Sequence, residues 1–490
     1  MSVAKWETVI GLEVHVQIKT ASKLFCRCPN KFGGEPNTRI CPVCSGMPGA
    51  LPSLNSRAVA LAVRTGLALG CRINLHSVFS RKSYFYPDLP GGFQTSQLEP
   101  PICETGRFVL NTRNMPGAHR QNPEIRINRI HMEDDAGKCI HATDSASLVD
   151  LNRAGTPLVE IVTEPDFRSP AEAAEFMRQL RQLLLYLDIT DGNMEEGSMR
   201  CDVNISLRPF HEGGGGKFGV RSEVKNLNSF ASIQEAAEYE EERQRDALES
   251  GQALEQETRH FDPDSGSTWA MRSKEGAPDY RYFPNPDLPP VVFTQSFVDE
   301  IAAALPERQE ARFKRYTGEL GLHAEEAGIL VGSAALAGYF EAALALQPSP
   351  KRTAGLILGN FLPECSRREV EPAALMADHF PPARLAHTVA MLEQGKVSLR
   401  VLQDLFRELL DGTDEIETLA EKRGLLQVSD SSALEKAVLD AIAANPDEAA
   451  QYRGGKTKLL SFFVGQVMRV TKGAGNPALI NELLKKHLER

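Results

Sequence analysis

The stretch Val9–Ile18, VIGLEVHVQI, constrains the fold more than any other. Ile10, Leu12, Val14, Val16 and Ile18 alternate with Val9, Gly11, Glu13, His15 and Gln17. A period of two marks a strand with one buried face. Glu13 and His15 then share the other face, with Cα atoms about 6.5–7 Å apart. The same alternation returns at Ile127–Asp134, where Ile130 and Met132 oppose Arg129, His131 and Glu133. It returns again at Leu158–Glu164, where Val159 and Ile161 oppose Glu160 and Val162. A fourth run, Arg200–Arg208, turns Cys201, Val203, Ile205 and Leu207 inward and leaves Arg200, Asp202, Asn204 and Ser206 as a polar row. If the first three runs neighbour in one sheet, Glu13, His15, Glu133 or Asp134, and Glu160 converge on a patch able to bind a cation. For the first strand alone, a solvent-facing Glu–His pair is the alternative. Acid is dense from His131 to Asp166 and sits at strand ends and Gly/Pro turns, where ligands tend to be presented.

Cysteine usage adds a second constraint. Cys26-Arg-Cys28 and Cys41-Pro-Val-Cys44 are separated by twelve residues. Two close pairs joined by a short loop suit a tetrahedral zinc ion, although the first pair has a single spacer residue. Four thiolates close the coordination shell, so this metal would fold the loop and take no part in catalysis. Cys71, Cys103, Cys139, Cys201 and Cys365 are scattered singly, which fits a reducing cytoplasm better than a disulfide framework. The N-terminus MSVAKWETVIGLEV has no apolar core of a secretory signal. The longest mostly apolar run, Ala327–Phe340, is too short for a bilayer and reads as one packed helix.

The 490 residues suggest roughly three domains. Residues 1–292 mix strand and helix patterns. Asn55–Leu69 reads as a helix, and Ser169-Pro-Ala-Glu172 is a capping box opening a helix to about Leu187. Arg81–Gln97 is irregular, because Pro87, Pro90, Gly91 and Gly92 break regular structure. Gly213–Gly216 reads as a hairpin loop, Ser229–Ser250 as a charged helix, and PNPDLPP (284–290) as a linker. Beyond residue 293 the spacing is helical, with a division expected at 402–403. The net charge of −10 argues against a chain that coats nucleic acid uniformly. Residues 451–490 nevertheless hold eight Lys/Arg against two Asp/Glu, a net of +6. Arg453-Gly-Gly-Lys-Thr-Lys458 lacks the first glycine of a phosphate-binding P-loop, since residue 450 is Ala. It reads instead as a basic segment for a polyanion.

Eight segments together resemble one family. They are VIGLEVHVQ (9–17), RKSYFYPDLP (81–90), HMEDDAGK (131–138), SLVDLNRAGTPLVEIVTEPD (147–166), EEGSMRCDVNISLRP (195–209), EVKNLNSF (223–230), YRYFPNPDLPP (280–290) and GQVMRVTKGAGNP (465–477). In order and over nearly the whole chain, they resemble the GatB/GatE family of tRNA-dependent amidotransferases. The resemblance implies an α+β fold: an N-terminal cradle around an antiparallel sheet (1–292), a helical domain (293–402) and a YqeY-like tail that contacts tRNA (403–490).

The resemblance also implies the chemistry. ATP would phosphorylate the side-chain carboxylate of Glu or Asp mischarged on tRNA(Gln) or tRNA(Asn), and ammonia would displace the phosphate. Glu13, His15, Glu133, Asp134 and Glu160 would carry the reaction, with Glu13, His15, Asp134 and Glu160 on Mg²⁺. Asp202 and Asn204 would serve the metal or nucleotide, Lys82 and Tyr84 the ammonia route, and Arg453, Lys456, Lys458, Arg469 and Lys472 the tRNA. One departure stands out: some relatives carry two Glu after His-Met, where this chain has Glu133-Asp134. Strand alternation favours Glu133 as the inward ligand, and the family pattern favours Asp134. No Gly-Gly-Ser-Ser amidase segment or N-terminal Met-Cys occurs, so glutamine hydrolysis belongs on a partner, a GatA-like amidase accompanied by a GatC-like small subunit. Two rivals are a non-catalytic, zinc-stabilised tRNA-binding scaffold and a self-sufficient ligase that uses free ammonia.

Overall fold

The computed structural model describes residues 6–113, 115–143, 146–210, 216–273, 279–426, 431–471 and 477–489. Residues 213–215 of the expected glycine loop, and Lys472, lie outside these. The chain divides into two compact units, Met1–Pro306 and Glu307–Arg490. The first ends later than the expected residue 292, because helix Gln295–Ala303 packs on helix Ser56–Ala68 of the same unit.

Among the described residues, nine strands form the largest sheet of the first unit. Their order across it is Ser267–Ser273, Glu257–Asp262, Ser222–Leu227, Met199–Pro209, Trp6–Gln17, Pro157–Thr163, Glu124–Asp134, Cys103–Val109 and Arg72–Ile73. The alternating runs are thus neighbours, with Trp6–Gln17 at the centre. Ile10, Leu12, Val14 and Val16 are at most 1% exposed, so the apolar half of the period lies in the core. Cys201, Val203, Ile205 and Leu207 are buried on the adjacent strand. The pairing is antiparallel except between Ser222–Leu227 and Glu257–Asp262, which run parallel. The sheet is thus mainly antiparallel, as expected; this one pair is parallel because helix Phe230–Glu249 connects the two strands, and a crossover helix returns the chain in the same direction.

Local signals set the helix starts. Asn55 caps Ser56–Ala68 through the Arg57 and Ala58 amides, and Ser229 caps Phe230–Glu249. The Ser169 hydroxyl accepts from Glu172 N at 3.2 Å, opening Pro170–Tyr186. Glu172 does not complete the box: its carboxylate accepts from Arg168 N and pairs with Arg120.

Two loop readings change. Arg81–Gln97 contains paired strands at Ser80–Ser83 and Phe93–Ser96, and Phe283–Pro284 adds a third strand to them. PNPDLPP is therefore no linker. Asn285 and Leu288 are buried, and Arg81 donates to Asn285 at 3.1 Å and to Asp287 at 2.6 Å.

All regular elements described after Glu307 are helical. The Ala327–Phe340 run is split between helices Ala324–Leu330 and Ala334–Leu346, bent by 110°. The break follows Gly332, where Ser333 caps the second helix through Leu336 N. Among the described residues no single helix is long and apolar enough to cross a membrane. The expected division at 402–403 falls inside helix Leu399–Asp411. One hydrophobic core runs from Tyr316 to Ala420 and another from Leu434 to Leu488, so the change of core lies between Ala420 and Leu434.

Candidate active site

Register, not proximity in sequence, builds the site. His15 lies opposite Glu160, and Glu160 lies opposite His131 on the next strand. On the other side of the central strand, Glu13 lies opposite Asp202, His15 opposite Arg200 and Gly11 opposite Asn204. Residues directly opposite share a face, so a polar stripe crosses the sheet. Within it, His15 Nε2 and His131 Nε2 each lie 3.3 Å from Glu160 Oε2, and His131 Nε2 lies 3.3 Å from Glu133 Oε1. His131, Glu133 and Glu160 are 4%, 2% and 7% exposed, so three ionisable groups meet almost without water.

Their ionisation is mutually determined. Burial works against the charged form of His131, but Glu160 and Glu133 raise it to about 9. His15 is likewise raised, against its burial, by Glu160. Burial opposes ionisation of Glu160, yet the two histidines hold its carboxyl well below the usual range. Glu133 is lowered against its burial by His131. Glu13 is different. Burial, Glu160, Asp202 and Glu223 all push its carboxyl up.

The donor atoms of His15, Glu133 and Glu160 lie within 4.8 Å of one another, and so do those of Glu13, Asp202 and Glu223. The first set places Glu133, not Asp134, with the histidines. Asp134 points elsewhere: its Oδ1 accepts from Thr95 N at 2.7 Å, and it lines a cavity of about 250 Å³ with Thr95, Asp135, Phe93 and Gly46. Burial pushes its carboxyl up to about 7. Asp135 behaves oppositely. Despite burial it is held at about 2 by Arg200 and Arg153.

The strand pair Ser80–Ser83 and Phe93–Ser96 supplies one edge of the site. Lys82 lies opposite Gln94. Gln94 Nε2 donates to Glu133 Oε2 at 3.0 Å. Burial disfavours charge on Lys82, but Glu133 outweighs it and the ammonium keeps its proton. Its Nζ sits 5.1 Å from the Tyr280 ring, which packs edge-on against Tyr84 and Tyr282. Asn204 Nδ2 donates to Glu13 Oε1 at 3.0 Å. Lys225 Nζ lies 3.0 Å from Asp202 Oδ2 and 2.8 Å from Glu223 Oε1. Gln94, Glu223 and Lys225 were not among the sequence candidates. The alternation of Glu223 and Lys225 was a usable signal, but only strand order brings them to this face.

The four clustered cysteines come together on their own loop, with all sulfurs within 4.8 Å. Cys44 Sγ is 4.0 Å from Cys28 Sγ and 3.9 Å from Cys41 Sγ. Tetrahedral ligands at about 2.3 Å from zinc would stand about 3.8 Å apart, so the spacing suits a metal. Cys26 hydrogen-bonds the Cys44 sulfur and Lys23 lies 3.5 Å away, holding the Cys44 thiol down to about 4. Gly46, with φ +64°, presses the loop onto residues 90–91, where a Cβ would stand 2.7 Å from Gly91 N. In the second unit Arg453, Lys456, Lys458 and Arg469 are exposed.

Comparison with known proteins identifies the relationship. A family described as the GatB/GatE catalytic domain matches residues 8–299, and a GatB domain family matches residues 338–488. The chain belongs to the GatB/GatE family. It is 50% identical over 487 residues to the B subunit of an aspartyl/glutamyl-tRNA(Asn/Gln) amidotransferase from Solidesulfovibrio magneticus, covering 99% of this chain and 100% of that one. The equivalent chain of Geotalea uraniireducens is 50% identical over 489 residues, covering 99% of both. That of Anaeromyxobacter sp. strain K is 49% identical over 496 residues, covering both in full. The polar stripe and the cysteine loop both fall within the matched GatB/GatE catalytic domain.

Proposed function

We propose that this chain is the amidating subunit of a tRNA-dependent amidotransferase. It converts Glu-tRNA(Gln), Asp-tRNA(Asn) or both to the amidated forms, through ATP-dependent phosphorylation of the side-chain carboxylate and attack by ammonia. Family membership and full-length identity to named amidotransferase chains support the reaction class. They favour it over a non-catalytic scaffold. The observation that carries the mechanism is the His15–Glu160–His131–Glu133 chain on a solvent-poor sheet face.

A carboxylate oxygen is a poor leaving group, so ammonia needs an activated acyl group. Phosphoryl transfer is mainly positioning and charge neutralisation. The donor set fits Mg²⁺, which prefers oxygen at about 2.0–2.1 Å, and octahedral neighbours at that distance stand about 3 Å apart. His15 and His131 both turn Nε2 to the carboxylates, and their Nδ1 atoms are buried without a partner among the described residues, so Nε2 is the ring atom His15 would offer the ion. His15, Glu133 and Glu160 would hold the ion, with Glu13 beside them. When bound, it screens the charge of the phosphate oxygens. Glu13, Asp202 and Asn204 then face the nucleotide side. Lys82 and Tyr84 line the ammonia side, where a permanently charged lysine repels ammonium and admits neutral ammonia. Cys26, Cys28, Cys41 and Cys44 hold a structural zinc. Ammonia comes from a GatA-like amidase with a GatC-like small subunit, and the complex works in the cytoplasm. Arg453, Lys456, Lys458, Arg469 and Lys472 contact the tRNA backbone.

The test supplies mischarged tRNA, ATP, Mg²⁺ and ammonium chloride, with and without partner subunits. Amide formation should require ATP and vanish in Glu13→Ala and Glu160→Ala while tRNA still binds. Undiminished amidation in both variants would remove the site from the mechanism.

A further inference from the structure

The polar stripe is bracketed by two lysines, and the reaction so far uses only one. Lys82 stands at the Glu133 end. Lys225 stands at the other, on strand Ser222–Leu227, two strands from the centre. About 10 Å of sheet separates its strand from that of Glu13 and His15. Between them Glu13, Asp202 and Glu223 gather within 4.8 Å. On the Asp202 strand, Arg200 is held by Asp135 at 3.1 Å and Arg208 by Glu7 at 2.5 Å. Lys225 bonds Asp202 and Glu223, and Glu223 is fixed from behind by the Thr258 hydroxyl at 3.0 Å. An ammonium has three N–H donors. Two are engaged, and the side chain is 33% exposed on the reacting face.

We propose that Lys225 is a nucleotide-binding residue that grips the leaving diphosphate of ATP. The proposal rests on the amidotransferase reading above. Ammonia arriving beside Lys82 must meet the acyl carbon, and the acyl oxygen must meet the γ-phosphorus over His15, Glu133 and Glu160. In-line displacement sends the leaving group away from the attacking oxygen, which is toward Lys225. A carboxylate oxygen of the aminoacyl group forms a bond to the γ-phosphorus. The bond from that phosphorus to the bridging oxygen breaks, and its electron pair stays on ADP. The terminal phosphate of ADP gains the charge, beside carboxylates that would repel it. Lys225 donates its remaining hydrogen there and offsets the repulsion.

The test measures ADP affinity of the full-length chain in buffer containing Mg²⁺ for wild type, Lys225→Met, Lys225→Arg and Glu223→Gln. Losing one charge-assisted contact should weaken ADP about tenfold or more in Lys225→Met. Lys225→Arg should stay within about threefold of wild type. Glu223→Gln, which frees a donor of Lys225 and removes a repelling charge, should bind ADP as well as wild type or better. If Lys225 serves only the ion-pair network, Glu223→Gln weakens ADP as much as Lys225→Met, and the proposal falls. Unchanged affinity in Lys225→Met also overturns it. Failure of wild type to bind ADP or ATP would sink the amidotransferase reading itself, a result distinct from either.

Discussion

Glu133 and Asp134 are neighbours in sequence, and their exchange for amides separates two readings of the site. In Glu133→Gln one carboxylate oxygen becomes an NH₂. Both oxygens are engaged, Oε1 with His131 at 3.3 Å and Oε2 with Gln94 at 3.0 Å, on a residue 2% exposed. Either orientation of the new amide sets a donor against a donor. A lost charge-assisted bond costs about 1.5–3 kcal/mol, and the uncompensated group raises that to roughly 3 kcal/mol. At about 1.4 kcal/mol per decade, amide formation should fall about a hundredfold. Asp134 accepts one backbone hydrogen bond, from Thr95, which an Asn carbonyl accepts equally. Burial has already pushed its carboxyl up to about 7, toward the neutral form that Asn mimics. Asp134→Asn should therefore cost under about 1 kcal/mol, a change below about fivefold. The assay is single-turnover amidation with saturating ammonium chloride, so ammonia delivery does not limit the rate. A loss in Asp134→Asn equal to that in Glu133→Gln would refute the assignment of Glu133 as the inward ligand.

Three further outcomes are expected. A Cys41→Ser/Cys44→Ser variant should lose zinc by elemental analysis and melt at lower temperature, since structural zinc contributes on the order of 10 kcal/mol in small peptides; full zinc retention would exclude these ligands. Removing residues 427–490 takes out the second helical core whole, where a cut at 451 would strand Leu434 and Val438 without Phe463 and Ile480. That truncation should weaken tRNA binding and flatten its salt dependence, because fewer counterions are released; an unchanged salt slope would contradict the role of the basic tail. Glu240 is fully buried, and Arg243, Thr268 and Arg259 hold its carboxyl below the usual carboxylate range despite that burial. A depressed carboxyl stabilises the fold above its unfolded value, near 4.3, and loses that contribution as pH falls. Glu240→Gln should therefore cost about 3 kcal/mol in urea unfolding at pH 7 and progressively less as the pH is lowered below the unfolded value; a cost independent of pH would show that packing, not charge, is what Glu240 supplies.

Much of the fold was legible because its signals are local. The alternation at Val9–Ile18 states which side chains are buried, and Asn55, Ser169 and Ser229 mark helix starts through hydrogen bonds that close within three residues. The cysteine spacing states a metal loop because the chain between the pairs is short. Readings failed where the deciding contact was distant. PNPDLPP has the composition of a linker, but Arg81, about two hundred residues earlier, holds it. The apolar Ala327–Phe340 run has helical spacing throughout, yet Gly332 and the Ser333 cap divide it.

The catalytic face shows the same limit most clearly. A period of two assigned Glu13, His15, His131, Glu133 and Glu160 to polar faces, but it carries no information about which strands adjoin. Pairing of Trp6–Gln17 with Pro157–Thr163 and Met199–Pro209, and of these with Glu124–Asp134 and Ser222–Leu227 in turn, made one stripe of five strands. That pairing set His131 against Glu160, turned Asp134 toward Thr95, and brought Lys225 to Asp202. Sequence by itself determined the elements and their buried faces, since a residue's place in a strand follows from its immediate neighbours. Only the tertiary structure decided the constellation, since hydrogen-bonded strand order joins residues more than a hundred positions apart.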